Sequence, residues 1–133
     1  MIRRKKRQTP FTLVKTAIEA IENKKGESIC YIDLRKIQSS VCDFFVICHG
    51  NSRPHVEAIT HSIIKAVMEK TGEEPWHIEG ITNAQWILLD YLNVVVHIFH
   101  KDARTYYRLE EMWADAGVIK MRAKRKRNED VKM

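Results

Sequence analysis

The sequence predicts one domain of the α/β (α+β) class, a mixed sheet of about five strands flanked by helices. Three observations lead there. WILLDYLNVVVHIF, residues 86–99, holds two apolar runs rich in β-branched and aromatic residues on either side of Asp90, Tyr91, Leu92 and Asn93, the pattern of a hairpin. Elsewhere, segments with apolar residues three and four apart alternate with short unbroken apolar runs, in the order helix, strand, strand, helix, short strand, hairpin, helix. The chain has 133 residues, a length that one core serves.

Residues 12–22 place Leu13, Ala17, Ile18 and Ile21 on one helical face, and 23–26 supply a polar stop, so an amphipathic first helix is expected. Residues 29–34 predict a strand in which Ile29, Tyr31 and Asp33 oppose Cys30, Ile32 and Leu34. After a polar connection over 35–42, Asp43 leads into an unbroken apolar run at 44–48 that ends in His49, Gly50, Asn51 and Ser52. Residues 54–70 then read as a helix through Val56, Ile59, Ile63 and Val67, with Ile64 on the flank. Ser52 is its N-cap, Pro54 lies in its first turn, and Gly72 stands where it ends.

Residues 75–78 form a short candidate strand and 79–84 a loop into the hairpin. In that hairpin, alternation sets Trp86, Leu88 and Asp90 on one face and Ile87, Leu89 and Tyr91 on the other. Neither face is fully polar, as in a central strand pair covered on both sides or a sheet with one face kept for a partner. Residues 102–116 predict a last helix with Tyr106, Leu109, Glu110 and Trp113 along one side and Gly117 as its cap.

The net charge of +6 is unevenly distributed. Residues 3–7 supply five basic side chains, and 120–133 supply seven against Glu129 and Asp130; of 23 basic and 17 acidic residues, 11 and 15 remain, so residues 8–119 carry −4. The expected organisation is a basic N-terminal tail (1–11), a folded body (12–117) and a basic C-terminal tail (118–133). In that last tail Lys120, Arg122, Lys124, Arg125, Lys126 and Arg127 suit weak, salt-dependent contact with RNA, or else a solvated end that aids solubility. Cys30, Cys42 and Cys48 are odd in number without CxxC spacing, which indicates buried thiols in a reducing compartment and no zinc site. No run approaches a membrane span and no apolar leader follows the charged start, so a cytoplasmic protein is expected.

Several chemistries can be weighed. A strand, Gly50-Asn51-Ser52 and then a helix N-terminus form an anion-site pattern, comparable to the way nucleotidyltransferases begin their sites. Their chemistry also needs paired carboxylates for metal; no Asp-x-Asp or Glu-x-Asp occurs, and Asp90 stands alone. No catalytic residue and no cofactor is therefore expected. Cys48 and His49 are strand neighbours and point apart. Cys48 with His97 across strands is left open, against a buried thiol beside a structural histidine. Arg104, Tyr106, Tyr107 and Arg108 interleave basic and aromatic residues in a manner suited to RNA stacking, although helical spacing favours core packing for the apolar stripe. As a binding module, Trp86, Tyr91 and Trp76 offer interface anchors, and Glu79 and Asp90 offer acids for a basic partner; the competing reading makes the aromatics core.

Four motifs carry a family resemblance. DFFVICHGNSRPHVEAI (43–59), EG (79–80), WILLDYLNVVVHIF (86–99) and R-x-YYRLEEMW (104–113) resemble, in order and spacing, the ribosomal silencing factor family, also called Iojap or RsfS. The likeness spans about residues 12–117 and leaves the basic tails out. Leu92-Asn93 stands where the family more often has Gly-Asp, and His49 where a small residue is commoner. The resemblance implies a nucleotidyltransferase-like fold without catalytic carboxylates. It also implies a non-enzymatic factor that binds the large ribosomal subunit through its protein number fourteen, blocks joining of the small subunit and lowers translation when nutrients are scarce. Family members also form homodimers. Carried over residue by residue, Trp86, Leu88, Asp90 and Tyr91, with Glu79 and His97, are the expected protein-binding residues, and neither membrane nor DNA is an expected partner. Asp43, Asn51, Ser52 and His55 also match, with structural roles in strand entry, turn and helix capping. The alternative is a nucleotide-binding protein with residual transfer activity.

Overall fold

A computed structural model describes residues 9–37, 42–107 and 118–120 of the chain. Helix α1, Pro10–Asn23, starts two residues before the expected 12–22 because Thr9 caps it and Pro10 occupies its first turn. The Thr9 hydroxyl accepts from the Thr12 N–H at 3.3 Å, and proline's fixed φ suits that position. Strands β1, Glu27–Asp33, and β2, Phe44–Gly50, follow. Helix α2, Arg53–Thr71, is bounded as its capping residues predict: Ser52 Oγ accepts from the His55 N–H at 3.2 Å. Gly72 ends it at φ 78°, a left-handed conformation that glycine adopts without a Cβ penalty.

Strand β3 is short, His77–Glu79. The hairpin is β4, Trp86–Asp90, and β5, Val94–His100. Helix α3 covers Lys101–Tyr107; Leu109, Glu110, Trp113 and Gly117, assigned by sequence to the same helix and its cap, lie outside the described residues. A sixth strand, β6 at Val118–Lys120, pairs antiparallel with β1. It falls within the stretch that sequence assigns to the C-terminal tail, and the sheet therefore has six strands rather than about five.

The sheet order is β3-β4-β5-β2-β1-β6. The central pair β2 and β5 runs parallel, in register from Phe44 opposite Val94 to Gly50 opposite His100, and the other ladders are antiparallel. The architecture is the mixed α/β sheet with flanking helices that the sequence predicts. Helices α1 and α2 share one face, where Leu13, Ile21, Val56, Ile59 and Ile63 meet Phe44, Val46, Leu89, Val96 and Ile98. Each fully buried aliphatic or Phe side chain there stabilises the fold by about 1.5–3 kcal/mol. The opposite face carries a second cluster of Cys30, Ile32, Ile47, Val95 and Phe99, with Ala103 of α3 packed on it. Helix α3 begins directly after β5, which brings Ala103 onto this second face.

Candidate partner-binding face

Strand register determines what the second face presents. Trp86 lies opposite Phe99, Leu88 opposite His97 and Asp90 opposite Val95. Across the parallel ladder Phe45 lies opposite Val95 and Ile47 opposite His97. Across the edge ladder His77 lies opposite Asp90 and Glu79 opposite Leu88. Paired residues share a face, so Trp86, Leu88 and Asp90 sit together, as alternation predicts, with Phe45, His77 and Glu79 around them. Trp86, Leu88, Asp90 and Phe45 are half-buried and His77 and Glu79 exposed.

The aromatic groups form a connected set. The Trp86 indole stacks on Phe99 at 5.0 Å between centroids, and the Phe45 ring meets His97 edge-on at 4.6 Å. His97 is buried at 4% exposure. Its Nδ1 accepts from the Trp86 Nε1–H at 3.0 Å, which assigns the proton to Nε2. That Nε2–H is buried without a hydrogen-bond partner among the described residues. Desolvation brings the His97 pKa down to about 3, so the ring is neutral at physiological pH. His97 thus lies beneath the indole and is not available for direct contact.

Around this apolar centre lies an acidic rim. Glu79 Oε2 is 2.7 Å from His77 Nε2, with both side chains mostly exposed. Asp90 Oδ1 accepts from the Leu92 N–H at 2.8 Å, an Asx turn that orients the carboxylate at the hairpin tip. The backbone is tied as well, since the Trp76 N–H donates to the Asp90 carbonyl at 2.7 Å. Trp76 itself is 73% exposed at this edge. Gly80 turns the chain at φ 89°, and a Cβ there would run into the Trp86 carbonyl. The glycine of the EG motif is therefore required by the close approach of backbone to Trp86.

Other candidates lie elsewhere. Tyr91 is 3% exposed and belongs to the core beneath α1 and α2; it cannot share a surface with Trp86. Its hydroxyl has no hydrogen-bond partner among the described residues, and burial pushes the phenol pKa up. Cys48 also packs in the helix-side core and pairs with Ile98 rather than His97. Adjacent strand residues face opposite ways, so Cys48 and His97 form no dyad, and burial raises the thiol pKa to about 12.

Several donors of the helix-start anion pattern are engaged from within. The Asn51 N–H donates to His55 Nδ1 at 2.9 Å, the His55 N–H to Ser52 Oγ, and the Val56 N–H to the Ser52 carbonyl, while Pro54 has no N–H. With Nδ1 accepting, His55 Nε2–H donates to the Lys24 carbonyl at 2.8 Å. Asn51 Nδ2 donates to Glu27 Oε2 at 3.0 Å, which heads the causes holding the Glu27 pKa low. Arg104 turns inward too, with Nη1 3.1 Å from His49 Nδ1 and donating to the Glu27 carbonyl at 3.4 Å.

Among the described residues, no group of three His, Cys, Asp or Glu side chains could hold a metal ion. No helix there is long and apolar enough to cross a membrane. Of the basic C-terminal residues, Lys120 ends β6, and Arg122, Lys124, Arg125, Lys126 and Arg127 lie outside the described residues.

The chain is similar to known proteins over most of its length. A family model described as "Ribosomal silencing factor during starvation" matches residues 7–133, a span that runs past the 12–117 of the sequence resemblance. A ribosomal silencing factor from Halalkalibacterium halodurans is 43% identical over 109 residues, 82% of this chain and 92% of that protein. One from Bacillus subtilis is 44% identical over 105 residues, 79% and 87% of the two chains. A crystal structure of a protein from Bacillus halodurans superposes with a TM-score of 0.72 at 40% identity, covering 84% of this chain and 99% of that one. Motifs, fold and these likenesses agree, and the chain belongs to the ribosomal silencing factor family.

Proposed function

We propose that the chain binds the large ribosomal subunit through the Trp86 face, docking on its protein number fourteen, and so excludes the small subunit and represses translation under nutrient limitation. The observation that carries the reading is the half-buried aromatic and aliphatic centre of Trp86, Leu88 and Phe45. It is edged by Glu79 and Asp90, in a chain of this family. Aromatic anchors in a partly desolvated patch dominate interface energetics, and an acidic rim suits the basic surface of a ribosomal protein. His77 and Phe45 join the docking residues by register; Tyr91 leaves them and His97 supports them from below.

Binding of this kind acts by occupancy and requires no catalytic group or cofactor. The engagement of the Asn51, His55 and Val56 N–H groups at the start of α2 favours it over nucleotide binding at Gly50–Ser52. The basic residues Lys120, Arg122, Lys124, Arg125, Lys126 and Arg127 add weak contact with nearby ribosomal RNA, and the protein acts in the cytoplasm. A homodimer is part of the same reading.

Purified protein is expected to co-sediment with isolated large subunits and not with joined ribosomes. Co-sedimentation with joined ribosomes alone would overturn the reading.

A further inference from the structure

The imidazole of His97 is at odds with its surroundings. It stands in the middle of β5, roofed by Phe45 and Trp86, with Nε2–H buried and unpartnered among the described residues. An unsatisfied buried donor destabilises a fold, and an aliphatic side chain of similar size would fill the position without that penalty. What the histidine supplies and an aliphatic residue would not is an acceptor at Nδ1, 3.0 Å from the indole N–H. That bond fixes the rotation of the Trp86 ring about its side-chain torsions, a directional constraint that ring stacking does not supply.

We propose that His97 is a positioning residue, which holds the Trp86 indole in its docking orientation through the Nε1–H···Nδ1 hydrogen bond and never touches the partner. The inference rests on Trp86 being a docking residue, as read above. Pre-setting one aromatic rotamer removes an ordering penalty from association, so the effect appears in affinity. Because the ring is neutral, the bond holds across the physiological pH range.

The test compares the full chain with His97→Leu, His97→Asn, Trp86→Ala and the Trp86→Ala/His97→Leu double variant, titrated against purified large ribosomal subunits. Trp86→Ala is expected to weaken binding thirtyfold or more, on the order of a hot spot. His97→Leu is expected to weaken it by about fivefold, one hydrogen bond's worth, while melting no lower than wild type. His97→Asn, whose Oδ1 falls near the position of Nδ1, is expected to bind within about twofold of wild type. In the Trp86→Ala background, His97→Leu is expected to change nothing further.

A wild-type measurement stands beside these. The Trp86 indole N–H is expected to exchange with solvent far more slowly than that of Trp76, which is 73% exposed. Full affinity of Trp86→Ala would overturn the docking reading itself. Weak Trp86→Ala with fully binding His97→Leu would overturn the positioning role alone. Should His97→Leu fail to fold, a Trp86 indole N–H exchanging as fast as that of Trp76 would still overturn it.

Discussion

Leu92 is a bulky residue at φ 75° in the hairpin turn, half exposed. A left-handed conformation costs a non-glycine residue about 1–2 kcal/mol, partly offset by the lower entropy of the unfolded leucine chain. Leu92→Gly is therefore expected to raise stability by about 0.5–1 kcal/mol in urea unfolding. Gly80 is the reverse case: Gly80→Ala combines a positive φ with a collision against the Trp86 carbonyl, and is expected to lower stability by about 2 kcal/mol or more.

His97 gives the fold an acid sensitivity. Its folded pKa of about 3 lies below the unfolded value near 6.5. The unfolded chain therefore takes up a proton that the folded chain refuses. Stability should fall as pH drops from about 6.5 towards 3, by up to about 1.4 kcal/mol per pH unit, with no contribution above that window. Glu27 and Asp33, held low chiefly by hydrogen bonds from Asn51 and Arg35, begin to lose their contributions as pH falls towards their ordinary values of 4.5 and 3.8, the acid part of the same window. Comparing wild type with His97→Leu between about pH 6 and 5, where carboxylates remain ionised, isolates the histidine. The variant is expected to show the flatter profile.

At the scale of elements, β6 changes where the basic tail begins. A truncation after residue 117 would remove Val118–Lys120 and unpair β1 along Cys30, Tyr31 and Ile32. A truncation after residue 121 keeps that ladder and removes six basic residues. It is expected to leave the melting temperature unchanged while lowering the salt slope of ribosome binding by up to about 4, the limit if all six neutralise phosphates of single-stranded RNA.

Sequence anticipates α1, α2, β1, β2 and the hairpin because each is long enough for periodicity and is bounded by capping residues such as Ser52 and Gly72. Strand β6 is three residues long and runs into a basic stretch, so neither length nor pattern distinguishes it from the tail. Trp86, Leu88 and Asp90 are legible as one face from alternation alone. His77 and Phe45 are not, because their place depends on pairing with Asp90 and Val95 across two ladders, and register between separate strands leaves no local mark. Assigning Tyr91 to the docking face set its aromatic character against alternation, and packing beneath the helices decided the matter.

In the whole molecule, the two faces of one sheet differ in how they are covered. Helices α1 and α2 bury most of the first; on the second, Ala103 of α3 packs against the cluster, and β4 with β3 presents half-buried and exposed residues. Strands β4 and β6 are four strand spacings apart, about 19 Å. On the proposed reading, protein docking at one side and polyanion contact at the root of the C-terminal tail would occupy different parts of the ribosomal surface. In this account the first gives specificity and the second gives salt-dependent affinity.

Subunit joining followed by sucrose-gradient sedimentation tests the central claim most directly. Wild type and the Trp86→Ala/Asp90→Ala variant are compared at equal folded concentration. Wild type is expected to hold the subunits apart while the variant lets them join. Joining unaffected by wild type, or blocked equally by the variant, would contradict steric exclusion through this face.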